Sequence, residues 1–461
     1  MWKRLVISLL AIAVLLFSSV PAAAAGNNQM IGVNVVLNTG ITDIILADLG
    51  THGTVRDVVY EINAVTLQAR AGDLAAIQSL PYVAAANPDA TRNGAPVDTV
   101  AATNFENGMS TWNLDAINVT DYGSPNRQVA YDGTGVYVAV LDTGLLDSWR
   151  QYFPEQRIAT QYAIAFRGGG GDNGNISEPP NMWEHDQNSH GTHVTSTILG
   201  YSLGVTPING VAPMATIIPV KVLGQNGSGW SSVVARGITY VGNLKAGPLA
   251  DYPVVINMSL GGSVLDAMEK AAINYAVANG VIIVASAGNE GLAGMGYPGA
   301  YAPVISVAAS GWVGEWTTSA WWRTLNVPDP TNPADFYITD FSSRALPGQD
   351  LDVAAPGSWV VGPYQTNGQI SYYYLGGTSM ASPHVAGIVA LMVQKDPTLT
   401  AGDVESILTS GSATVALPPG CRDVNDGSGA VVQYCWGADA TGAGLITADA
   451  ALKLGSKSKT K

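Results

Sequence analysis

The chain has 461 residues, enough for one large domain with a smaller attachment. Charged side chains make up only 12% and hydrophobic ones 47%, which excludes a disordered chain; 53 glycines without a three-residue period exclude a collagen-like one. The formal net charge is −14, and six of the 21 basic residues (Lys3, Arg4, Lys453, Lys457, Lys459, Lys461) lie at the two ends, so the stretch between them is strongly acidic. Such a surface repels phosphate backbones, and nucleic acid is not an expected partner.

Lys3 and Arg4 precede a largely apolar run, Leu5 to Val20, followed by Pro21 and the alanines Ala22 to Ala25. A basic start, an apolar stretch and small residues at the end predict a secretory signal peptide over 1–25 and an extracellular, secreted product. The run is shorter than the ~20 residues that span a bilayer, so no membrane anchor is expected after its removal. Cys421 and Cys435 are the two cysteines; in an oxidising compartment they are expected to form a disulfide near the C-terminus. A zinc cage is the rival reading, disfavoured because no histidine lies nearby.

Residues 31–37 read as a strand, 54–68 as one or two more, and 82–87 as a last one; Leu74, Ile77 and Leu80 sit at helical spacing between Gly72 and Pro81. This predicts a small α+β unit over 26–94, marginal by itself. The stretch 95–111 lacks periodicity and reads as a linker. From 112 to 461 the pattern changes. Continuous apolar strands are predicted at 136–142, 216–223, 254–260, 281–287 and 304–310, with helices at 231–244 and 264–279 between them. Ser263 and Asp266 are placed as a capping box for the second helix. Strands apolar on both faces, alternating with helices, predict an α/β fold: an open, mostly parallel sheet with helices on both faces, preceded by the small α+β domain. Ligands bind such sheets beyond the carboxyl ends of the strands.

Polar residues cluster at those ends. Asp142 ends the first strand; HGTHV (190–194) and GTSMASPHVAG (377–387) open helices; NMSLGG (257–262) and SAGNEG (286–291) end strands. Taken singly, Asp142 reads as a turn cap, His190 as a helix start, Ser379 as an N-cap and Asn289 as a turn residue. Taken jointly with VAVLDTG, INGVAP, GYPGAYAPVISVAA, FSSR and DVAAPG, over about 112–452, the chain resembles the subtilisin-like serine peptidases, the subtilases. Residues 26–94 resemble that family's inhibitory propeptide by length, pattern and position.

The resemblance implies a secreted serine endopeptidase with an Asp142–His190–Ser379 triad, in the family's acid–histidine–serine order. A serine hydroxyl needs a base during attack, and an imidazole, with its ordinary pKa of about 6.5, suits that task. Asp142 would orient the ring, and Asn289 with the Ser379 backbone N–H would stabilise the oxyanion. By the same resemblance Ser259, Leu260 and Gly261 would pair with the substrate backbone. Ala287, Gly288 and Gly296 would line the primary specificity pocket, with Gly296 as its floor. Expected partners are protein or peptide substrates and the chain's own propeptide as inhibitor, removed by self-cleavage near Gly94–Ala95, on a monomer. No metal or other cofactor is required for the chemistry. Structural calcium is allowed without assigned ligands, since 199–208 does not reproduce the family's calcium loop.

The remaining features receive plainer readings. His193 is expected to be structural, His384 packed near the site, and His185 and His52 exposed. GGGG (168–171) lacks the Gly-Lys-Ser/Thr of a phosphate loop. The segment 311–338, with Trp312, Trp316, Trp321 and Trp322, is longer than the family leads one to expect and reads as a loop that buries its own aromatics. Two rivals stand beside the peptidase: a catalytically inactive binding protein on the same fold, and a metallohydrolase built on Asp142, His190 and His193.

Overall fold

The computed structural model describes residues 27–102, 110–121, 127–169, 174–202 and 207–454. The expected signal peptide, and part of the 199–208 segment, lie outside the described residues. A central sheet carries, from one edge, the strands Ile164–Ala165, Thr216–Lys221, Tyr137–Asp142, Val254–Met258, Val281–Ser286, Ile305–Trp312, Val353–Pro356, Leu445–Ile446 and Thr414–Val415. Neighbours are parallel as far as Leu445–Ile446; Thr414–Val415 and the branch Phe336–Ile338 are antiparallel.

The continuous apolar strands are explained by what covers them. Val138 and Val140 point into one apolar cluster, together with Val194, Ile198, Val385 and Val389 of the helices His190–Leu199 and Thr378–Lys395. Their neighbours Ala139 and Leu141 point into the other, with Val234, Ile238, Met268 and Ile273 of the helices Ser231–Ala246 and Ala267–Ala278. A period of two along the strand thus serves two buried faces, so no polar alternation survives in the sequence.

The N-terminal unit is a four-stranded antiparallel sheet in the order Gly53–Val59, Ala64–Arg70, Met30–Leu37, Val83–Pro88. The helices Asp43–His52 and Leu74–Gln78 cover one face through Leu49 and Ile77. Val59, Ile62 and Ala64 join the apolar cluster of the two helices Ser231–Ala246 and Ala267–Ala278, so the unit is seated on them.

Three local expectations change. The cap of the helix Ala267–Ala278 is Asp266 itself, whose carboxylate accepts from the Met268 and Glu269 amides; Ser263 takes no part. The stretch 95–111 contains a strand, Asp98–Ala101, because a partner, Gln369–Gly376, arrives from far downstream, with Tyr373 opposite Ala101 and Gly376 opposite Asp98. His52 is half-buried rather than exposed. Cys421 and Cys435 face each other on a hairpin and are joined by a disulfide. Trp312, Trp321 and Trp322 are buried; Trp312 packs on Trp321, and Trp321 and Trp322 pack on Tyr374, as expected of a segment that buries its own aromatics. Among the described residues no helix is long and apolar enough to cross a membrane.

Candidate active site

Asp142 closes its strand at the carboxyl end of the sheet and is buried. His190 is the first residue of its helix, and its Nδ1 lies 2.8 and 3.0 Å from the two Asp142 oxygens. The approach depends on small residues: a Cβ on Gly191 would stand 2.4 Å from the Gly144 carbonyl oxygen. Ser189, just ahead of the histidine, holds φ +78°, a conformation costly for a residue with a side chain. It is held there by Asp186, which accepts from the Ser189 amide (2.7 Å) and the Thr143 hydroxyl (2.7 Å). Lys221 lies 3.7 Å from Asp186; burial raises the carboxyl's pKa, and the nearby ammonium opposes that rise.

Ser379 sits in the first turn of the helix Thr378–Lys395, where backbone N–H groups are unpaired and the helix dipole favours negative charge. Pro383 in that helix has no N–H to give to the Ser379 carbonyl, and the Ser259 hydroxyl takes that acceptor instead, at 2.8 Å. The interior proline therefore ties the serine helix to the strand end 257–259 rather than breaking it. The Ser379 hydroxyl donates back to the Ser259 carbonyl at 3.1 Å, and His190 Nε2 is buried without a partner. The expected nucleophile–base hydrogen bond is thus not made. A chain segment lies in the cleft against His190.

That segment is the tail of the N-terminal unit. Thr91–Asn93 pairs antiparallel with Ser228–Trp230 on one side. Asn93 exchanges both backbone hydrogen bonds with Gly261 on the other, at 2.9 Å each. The Gly94 amide donates to the Gly227 carbonyl (2.8 Å). An added Cβ on Gly94 would lie 2.8 Å from the Ser259 carbonyl oxygen and 3.4 Å from His190 Cε1, so this residue lies against the imidazole and the strand end that carries Ser259. Beyond the gap, the Val97 amide donates to the Gly376 carbonyl (2.7 Å) and Asp98–Ala101 continues as a strand. The chain crosses the whole cleft, with Ala95 and Pro96 bridging its two halves.

Asn289 is oriented by its Oδ1, which accepts from the Thr378 amide (2.9 Å) and hydroxyl (2.8 Å), so the amide's N–H₂ is the end left to donate. Ala287 and Gly296 are joined by a 2.8 Å hydrogen bond and are buried. Gly296 faces Gly261 and Gly262, and Gly262 and Tyr297 exchange backbone bonds of 2.9 and 2.7 Å. Gly288 donates its amide to the Thr378 hydroxyl (3.2 Å), and an added Cβ there would stand 3.0 Å from the Gly296 amide nitrogen, so Ala287, Gly288 and Gly296 lie together. Leu260 is buried in the core. The structure thus brings Asp142, His190, Ser379, Asn289, Ser259, Gly261, Ala287, Gly288 and Gly296 to one place.

His193 turns away, its Nε2 on the Val360 carbonyl (3.1 Å), and burial pushes its pKa down to about 3. His384 is held by Asn113 (2.8 Å) and the Met380 carbonyl (2.8 Å), with its pKa pushed down to about 4 by burial. Both stay neutral and structural. Among the described residues the one acidic group close enough to share a cation is Asp350, Asp352 and Glu405. It lies at the amino ends of the strands, and Asp352 is committed to the Ser306 amide and hydroxyl, so it does not fit a calcium cage serving this site.

Two parts of the site escape sequence reasoning. The second wall, Gly227–Trp230, is a glycine-rich turn without strand character until the tail pairs with it. Glu269 reads as an ordinary surface position of a helix, yet it is fully buried beneath the tail.

Comparison with known proteins gives a consistent picture. The family described as "Subtilase family" matches residues 133–434. The chain is 36% identical over 269 residues to alkaline elastase YaB of Bacillus sp. (strain YaB), covering 58% of this chain and 56% of that protein. It is 34% identical over 309 residues to a thermostable alkaline protease of Halalkalibacterium halodurans, covering 67% and 69% respectively. Fervidolysin from Fervidobacterium pennivorans, described as a keratinolytic enzyme related to subtilisin, superposes with a TM-score of 0.64 at 25% identity, over 95% of this chain and 62% of that one. The chain thus spans little more than half the length of some of the relatives it matches.

Proposed function

The chain belongs to the subtilase family, and from that premise we propose that it is a secreted serine endopeptidase whose N-terminal unit inhibits it until the enzyme cuts that unit away. The observation that carries this reading is the oriented Asp142–His190 pair, with its free ring nitrogen, facing a peptide threaded through the cleft. On attack by Ser379 Oγ the proton passes to His190 Nε2, and the imidazolium formed is stabilised by Asp142. The oxyanion takes donors from Asn289 and the Ser379 amide. The imidazolium then gives its proton to the leaving nitrogen, and water resolves the acyl-enzyme by the same steps in reverse. No cofactor enters this scheme, and the enzyme acts as a monomer. Because Gly296 carries no side chain, a large apolar residue is the proposed occupant of the position just before the cut. Export rests on the residue pattern of 1–25. The inactive-binder alternative is disfavoured because every chemical position is filled.

The register also supports a reading of which bond is presented for self-cleavage. Gly94 is the last residue paired on one side and Val97 the first on the other, which supports Ala95–Pro96 as the bond presented to Ser379, one residue beyond the Gly94–Ala95 bond expected from sequence. Proline makes a poor leaving group there: its ring crowds the nitrogen that His190 must protonate, so the tail behaves as a slow substrate. Comparison of purified wild-type chain with Ser379→Ala tests the proposal. Wild type is expected to shed its N-terminal unit slowly, Pro96→Ala faster, and Ser379→Ala not at all. The triad loss in turnover is about 10⁶, a magnitude known from subtilisin itself rather than obtained from this geometry. Maturation of purified Ser379→Ala at the wild-type rate sinks the reading.

A further inference from the structure

Arg92 is the most unusual residue of the tail. It stands three positions before Ala95, its side chain is wholly buried, and it meets Glu269, equally buried. The contact is a two-pronged fork: Nε to Oε1 at 3.0 Å and Nη2 to Oε2 at 2.6 Å. Nη2 also donates to the Val264 carbonyl (2.9 Å), and Nη1 to the carbonyl of Thr91 (2.9 Å). Space for the guanidinium is left by Gly262, on which a Cβ would stand 2.8 Å from Nη1. Glu269 has no other side-chain donor among the described residues, and Asp266 and Asp89 lie close enough to add negative charge around it.

Three parts of this socket belong to the catalytic part of the chain: the Glu269 carboxylate, the Val264 carbonyl and the gap at Gly262. The fourth, the Thr91 carbonyl, belongs to the bound strand, and any peptide in the same register supplies its own. The socket therefore outlasts the tail. When the tail leaves, a buried carboxylate remains at the end of a pocket shaped for a planar cation, and an apolar side chain entering it leaves that carboxylate unpaired.

We propose that Glu269 makes this subsite selective for arginine at the fourth residue before the cleaved bond, so that the enzyme's substrates are peptides carrying arginine there. This rests on the peptidase reading above. Lysine, with one point charge and no fork, fits less well. The excess of acidic over basic residues draws basic peptides in the same direction.

The test uses the active enzyme and the chromogenic peptides acetyl-Ala-X-Ala-Ala-Phe p-nitroanilide, with X as arginine, its uncharged near-isostere citrulline, or leucine. Arginine is expected to exceed both others in kcat/KM by at least about 100-fold, as sites built around a buried polar partner do. Glu269→Gln is expected to erase the difference between arginine and citrulline. Because citrulline probes the charge on the unaltered enzyme, the result stands even if the Glu269 variant fails to fold. Casein hydrolysis is run alongside. If casein is cleaved and the three peptides are cleaved equally, the subsite inference is overturned and the peptidase reading survives. If casein is untouched and a serine-directed phosphonate does not label Ser379, the peptidase reading falls and this inference with it.

Discussion

Two buried glutamates divide the molecule into kinds of region. Glu269, under the tail, faces a cation brought by a separate part of the chain. Glu315, inside the aromatic segment, faces none: its carboxyl takes the Trp312 amide (2.9 Å) and the Tyr337 and Ser358 hydroxyls (2.8 and 2.9 Å). Both are fully buried, so both are penalised when charged. The difference is what holds them. A carboxylate paired across a segment proposed to leave serves, on that proposal, as a recognition device, costly when its partner leaves. A carboxyl among neutral donors inside the fold is permanent structure and shows itself through pH.

The largest expected effect breaks the first arrangement. In a Ser379→Ala chain, which on the proposed function keeps its tail, Arg92→Ala leaves Glu269 buried and unpaired, at a cost of about 3–5 kcal/mol. Hydrogen exchange at the Asn93 and Gly94 amides, which bond Gly261 and Gly227, should then speed up by roughly 10²–10³ as the tail opens more often. Amides of the strand Val254–Met258 should keep their protection, because that strand is held by the parallel sheet and not by the tail. Equal loss in both places would mean that the tail is an integral layer of the core rather than a separable strand.

The second prediction sharpens the contrast from the Glu315 side. Burial pushes its pKa up to about 7 in the folded chain, above the ordinary value of 4.5. A raised folded value means that the native state holds the proton more tightly, so its contribution is fully present below about pH 4.5 and is lost as pH rises through about 7. The loss amounts to about 3 kcal/mol at most. Glu315→Gln removes the titration while keeping a carbonyl for the Trp312 amide. Its Tm should therefore exceed that of wild type at pH 9, with the gap closing or reversing at pH 4.5. Parallel Tm curves over that range would show that Glu315 does not titrate in this window.

The same contrast separates what is legible in the residues alone from what is not. The core is legible because its rule is local. VYVAVLD is apolar without interruption, so it is a doubly covered strand, and Asp142 at its end marks the functional edge of the sheet. His190, Asn289 and Ser379 follow from motifs whose glycines have a steric reason, as at Gly191. The tail and its seat are illegible because their rule is not local. Asp98–Ala101 becomes a strand only against Gln369–Gly376, and Glu269 becomes a pocket floor only beneath Arg92. Asp266 also escapes a local reading. Its carboxylate caps its own helix and accepts from Asn34 (2.9 Å) and Asn87 (2.7 Å) across the interface, so a pattern search that stops at Ser263 misplaces the cap.

The smallest predicted effect isolates the cation's share of the interface. Asp89 also reaches across it: its Oδ1 accepts from the Ser232 amide (2.9 Å), the Ser231 hydroxyl (2.8 Å) and Asn34 (3.0 Å), closing the N-terminus of the helix Ser231–Ala246 from outside. Asp89→Asn keeps that acceptor, removes the charge and puts an amide donor where Oδ2 accepts from the Ser232 hydroxyl (2.5 Å), which can turn to accept in its place. The favourable interaction with the helix terminus that is lost is about 0.3–1 kcal/mol. Against it stands a relief, since Asp89 lies among Asp266 and Glu269 and its charge pushes the Glu269 carboxyl up. The two terms oppose, and the net change in tail opening should stay within about 1 kcal/mol, or roughly fivefold in exchange at Asn93 and Gly94. Measured beside Arg92→Ala in the same Ser379→Ala chain, the ratio of the two effects separates charge pairing from capping. If Asp89→Asn loosens the tail as much as Arg92→Ala does, the helix cap rather than the arginine socket holds the tail, and the arginine loses its special place in the interface.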